Sequence, residues 1–149
     1  MTTRSILAVL GGFVLFQVLT QLLETTLVAV AAAEPIADET AYFAVRNRPA
    51  LLAARIAYTS VAALLSGYMA AKIAMSSPVR HAMAAAAVVM ALLAWEFTGS
   101  DYARVTPMWM RIVLIAMTGP MMLAGGWIRA SAEELHDPPT PNPDRGARS

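Results

Sequence analysis

Cysteine is absent from the 149 residues, which excludes disulfide frameworks, thiol catalysis and Cys-ligated zinc or iron–sulfur centres. Charge is scarce: 14% of the chain is Asp, Glu, Lys or Arg, against about 25% in a soluble domain. No sign dominates either, since 11 basic residues meet 10 acidic ones for a net charge of +1, and the electrostatic basis for nucleic-acid binding is missing. Histidine is confined to His81 and His136, too few for a bis-His haem or a membrane di-iron site. A Gly-rich phosphate loop, a metal-ligand pair and a nucleophile–base constellation are all lacking, so no catalytic residue, metal or other cofactor is expected. The Met108-Met110 and Met121-Met122 pairs invite thoughts of copper, yet Met at helical spacing is ordinary packing material.

What the chain has is apolar surface, 58% of its residues, against about 45–50% in soluble proteins. It is concentrated in four runs, which predict an all-α bundle of four transmembrane helices over about 5–31, 50–75, 79–97 and 108–130. The first carries no charge between Arg4 and Glu24 and is long enough to cross ~30 Å of hydrocarbon with tilt. It exceeds the roughly 7–15 apolar residues of a cleavable signal and reads as a retained span, although Ala29-Val30-Ala31 resembles a cleavage site. Arg46-Asn47-Arg48-Pro49 punctuates the start of the second run and Ser76-Ser77-Pro78 its end. Pro120 falls inside the fourth, where a lipid-embedded helix tolerates it.

Between the first two spans, Asp38 to Asn47 suits a short outer interfacial helix, with acids at its start and Arg46 at its end, or else an unstructured loop. Tyr42, Phe43, Trp95, Phe97, Tyr102 and Trp109 gather at the outer span ends, and Tyr68 and Trp127 nearer the inner ones, as two unequal aromatic belts. From about Ser131 the composition turns polar and Pro-rich, and 131–149 is expected to be a disordered tail. Arg4, Lys72, Arg80, Arg129, Arg145 and Arg148 share the side of both termini; Arg46, Arg48 and Arg104 lie opposite, with Arg55 and Arg111 inside helices. That bias favours cytoplasmic termini.

An ionisable group inside a span costs about 2.5–3.5 kcal/mol at a helix centre, so Glu24 and Arg55 need an explanation. Gln17, Thr20, Gln21 and Glu24 form one stripe on the first span; Arg55, Tyr58, Thr59 and Ser66 form another on the second. In an antiparallel hairpin both charges lie roughly 9–11 Å from the outer helix ends. A polar seam is therefore predicted, with a Glu24–Arg55 ion pair at its outer end and Gln–hydroxyl hydrogen bonds below it, the depths setting Gln21 beside Tyr58 or Thr59 and Gln17 near Ala62. Its role is either to tie helices together or to serve as a proton- or substrate-responsive binding site. Glu96, Asp101, Arg104 and Arg111 are expected to form a solvated outer network, Arg111 snorkelling outward. Small residues four apart, Ala8/Gly12, Ala63/Gly67/Ala71 and Ala82/Ala86, predict close helix contacts within the bundle or between copies.

The segments Arg4-Ser5-Ile6-Leu7-Ala8-Val9-Leu10-Gly11-Gly12-Phe13 and Ser66-Gly67-Tyr68-Met69-Ala70-Ala71-Lys72-Ile73-Ala74 resemble small bacterial four-span membrane proteins of uncharacterised function. The resemblance covers the first two spans and implies a bacterial inner-membrane setting, which ten Arg to one Lys and abundant Ala fit. In length and in the lone acid of its first span the chain is also similar to small four-span multidrug transporters; Glu24 lies nearer the outer end than in mid-membrane, and that function is not carried over. The expectation is a structural or interaction component embedded in the bilayer, as a homo-oligomer or beside a larger membrane partner. The alternative is a small oligomeric transporter or channel with Glu24 as coupling group.

Overall fold

Apolar runs with no water to bond their peptide groups must satisfy those groups internally, and helices are the local way to do so. The computed structural model describes residues 3–74, 77–99 and 102–136. In chain order these form α1 (Thr3–Ala31), α2 (Glu39–Arg46), α3 (Pro49–Ala74), α4 (Pro78–Gly99), α5 (Tyr102–Val105) and α6 (Met108–His136). Four of them, α1, α3, α4 and α6, are long and apolar enough to cross a membrane. The fold is thus an all-α bundle of four candidate spans.

The first connection takes the helical one of its two expected forms: the Asp38 carboxylate accepts the Ala41 N–H at 2.8 Å and so caps α2, with Glu39 in its first turn. The short helix α5 was not foreseen, and its four residues are too few to show a hydrophobic period. The fourth span also outruns its predicted end. Residues 131–136 continue α6, where Ala132 and Leu135 favour helix and Arg129 bonds Glu133 one turn on at 3.1 Å. The expected disorder is corrected there; the remainder of that prediction, 137–149, lies outside the described residues.

Packing places α3 against α1, α4 and α6, while α4 also touches both α1 and α6, leaving α1 and α6 on opposite flanks. The outward faces stay apolar: Leu10, Val14, Val18 and Leu22 on α1 are all exposed, as lipid-facing positions should be. All three Trp are exposed as well. Inside, the predicted small residues are buried where helices meet. Gly12 nests against α3, a Cβ on it falling 2.9 Å from that of Ala70. At the α3–α6 crossing, Gly67 faces the Met122 carbonyl and Gly125 faces the Leu64 carbonyl so closely that a Cβ on either would overlap backbone. Gly126 in turn leaves no room for a Cβ beside Ala82 of α4. The small-residue faces are spent inside the bundle.

Because backbone cannot yield as a side-chain tip can, Gly67→Ala should destabilise the bundle by about 1–3 kcal/mol. Gly119→Ala is the control: its Cβ would sit 3.7 Å from the Met90 sulfur, an ordinary contact, and should be near neutral. Reversible unfolding of the two variants in mixed micelles checks the difference.

Candidate functional site

Glu24 lies on the buried face of α1, one position in a stripe that includes Phe16 and Val28, and is 7% exposed. A carboxylate offers about four acceptor positions. Four groups are held against it. The Arg46 Nε donates to Oε1 at 2.7 Å and the Tyr42 hydroxyl to the same oxygen at 3.2 Å, both from α2. From α3, the Tyr58 hydroxyl donates to Oε2 at 3.1 Å and the Arg55 Nε stands 3.4 Å from it as a second ion-pair partner.

The structure therefore brings Glu24 and Arg55 together but makes Arg46 the nearer partner, which sequence reasoning missed. Arg46 was expected at the surface, complementing the end of an interfacial helix; it is 2% exposed. Its guanidinium lies 5.3 Å from the Phe43 ring centroid and donates from Nη1 to the Thr106 hydroxyl at 3.2 Å. Tyr42 and Phe43 are likewise turned inward instead of joining an aromatic belt, Phe43 buried and Tyr42 half-buried. The signal was available in the α2 sequence: Tyr42, Phe43 and Arg46 fall at i, i+1 and i+4, one face of a helix.

The two residues after Arg46 extend the joint. Asn47 Nδ2 donates to the Val105 carbonyl at 2.7 Å, fixing the end of α5. Arg48 Nη1 donates to the Ala31 carbonyl at 3.0 Å and satisfies an orphan acceptor at the C-terminus of α1, where a cation also suits the helix dipole. Arg111 does the same for α4, bonding the Phe97 carbonyl at 3.0 Å in place of the outward snorkelling expected of it. Of the remaining outer network, Asp101 lies outside the described residues.

Below the carboxylate, toward the middle of the bundle, is a cavity of about 40 Å³. Gln17, Thr20, Gln21 and Glu24 line it from α1, Arg55, Tyr58 and Thr59 from α3, Leu93 and Glu96 from α4. Here the predicted seam is corrected. Gln17 and Gln21 make no side-chain hydrogen bond to Tyr58 or Thr59 among the described residues, because the cavity separates the stripes. Thr20 instead bonds back to the Phe16 carbonyl at 2.8 Å. One water needs about 10–15 Å³ of such space, so the cavity has room for two or three. Among the described residues no three His, Asp or Glu side chains converge on a metal-binding position.

Compared with protein-family models, curated proteins and solved structures, the chain has no match.

Removing one partner of a buried pair strands the other, at about 3–5 kcal/mol in soluble proteins. Arg46→Met should fall in that range and exceed Arg55→Met, whose ion-pair distance is longer. Unfolding in micelles checks the order, and a double-mutant cycle with Glu24→Gln should give favourable coupling for Glu24 and Arg46.

Proposed function

We propose that the chain is a structural or interaction component of the bacterial inner membrane, with both termini cytoplasmic, working as a homo-oligomer or beside a larger membrane protein. The observation that supports this most is the number of groups held against Glu24, three by hydrogen bond and one by ion pair. A coupling carboxylate must release and regain a proton or ligand in each cycle. This one is clamped by two guanidinium and two phenol groups from two neighbouring helices. The adjoining cavity, at about 40 Å³, is also far below the roughly 300–1,000 Å³ of small-molecule sites. Bacterial origin is supported by the Arg and Ala usage, and orientation by the distribution of basic residues.

A second reading, a small oligomeric transporter or channel coupled through Glu24, has one observation in its favour. The cavity joins Glu24 to the unbonded amides of Gln17 and Gln21 and to the Glu96 carboxyl, and so places a water-sized space beside the carboxylate. Proteoliposome flux separates the two. Under the structural reading, proton and alkali-cation flux through liposomes holding the wild-type chain equals that of empty liposomes and is unaltered by Glu24→Gln. A flux abolished by Glu24→Gln contradicts that reading and favours transport.

A further inference from the structure

At the end of the bundle away from Glu24, α1 and α4 begin side by side, because they run parallel. A groove of about 240 Å³ lies between their first turns. Ser5 and Val9 line it from α1, and Ser77, Arg80, His81 and Ala84 line it from the start of α4. The character is divided: hydroxyl, guanidinium and imidazole groups on one part, Val9 and Ala84 on the other, and no acidic side chain among the lining residues.

The Arg80 guanidinium has no hydrogen-bond or ion-pair partner among the described residues. His81 is held in place by contact of its Nδ1 with the Ser77 carbonyl at 3.1 Å, which leaves Nε2 as the ring's other polar atom. Two parallel helices also direct their positive N-terminal ends toward this region, which adds to a field set by the side chains.

We propose that this groove binds the headgroup phosphate of an anionic phospholipid. Charge complementarity selects a phosphate monoanion, and a basic pocket between spans at the headgroup level is where such a group is found in a bilayer. The apolar part selects a lipid over a soluble anion. At about 240 Å³ the groove takes only the phosphate and glycerol portion. The acyl chains remain outside, along the exposed apolar flanks formed by Ile6 and Leu10 of α1 and Met83 of α4.

The test uses the full chain in mild detergent, with native mass spectrometry to count retained lipid and thermal unfolding as a second readout. Phosphatidylglycerol and phosphatidylcholine of identical acyl chains are compared, and inorganic phosphate is added separately. Phosphatidylglycerol should be retained preferentially. Arg80→Gln should weaken that retention about five-fold, the effect of one interfacial charge, while Arg80→Lys keeps most of it. Lys72→Gln, an exposed basic residue at the same end but outside the groove, should leave it unchanged. Equal retention of the two lipids, an unaltered Arg80→Gln, or an equal loss in Lys72→Gln overturns the proposal. So does matching stabilisation by inorganic phosphate alone, which would make the ligand a soluble anion.

Discussion

A carboxylate inside an apolar bundle is the constraint around which the α2 end of this protein is arranged. Left alone, Glu24 would be the costliest group in α1. Its donors come from α2 and α3, so the demand for hydrogen bonds becomes a demand that three helices meet at one point. Arg46 passes the requirement further, since a buried guanidinium needs partners of its own and finds Thr106, just before α6, together with the Phe43 ring. The Arg46-Asn47-Arg48 corner thereby touches α1 twice, α5 once and the approach to α6 once. Such a network resists rearrangement, because removing any one member strands a buried polar partner.

The rest of the bundle is held by a different means. Lipid supplies no hydrophobic drive for helix association, so close packing must do it. Gly12, Gly67, Gly125 and Gly126 let backbones approach, and Ala8, Ala63, Ala82 and Ala85 fill the remaining buried positions with small side chains. The two regimes are spatially separate: tight glycine and alanine contacts toward the termini, polar clasp at the α2 end. Between them α1 and α3 carry amide and hydroxyl groups that do not meet, and the small cavity is the result.

The spans were legible because each is a long uninterrupted apolar run, and the small-residue faces because their spacing of four survives without any tertiary information. Glu24 and Arg55 were legible as a pair because an antiparallel hairpin fixes relative depth by counting. Arg46 was not, since a basic residue at the end of a short interfacial helix has a sufficient local role; its shared face with Tyr42 and Phe43 hinted at burial, but that spacing did not name Glu24 of α1 as the partner. Helix α6 outran its predicted end for a related reason: the acids before Pro138 resemble a tail in composition, yet Arg129 and Glu133 pair one turn apart and sustain the helix. Composition judged the segment without its spacing.

The central claim is that Glu24 holds α2 against the spans, and a distance between α2 and α3 tests it most directly. The absence of native cysteine allows spin labels to be placed at Ala44 of α2 and Val61 of α3, both exposed. Pulsed electron paramagnetic resonance on the labelled chain in nanodiscs should give a narrow distance distribution that broadens in Glu24→Gln. An equally narrow, unshifted distribution in the variant would contradict the account.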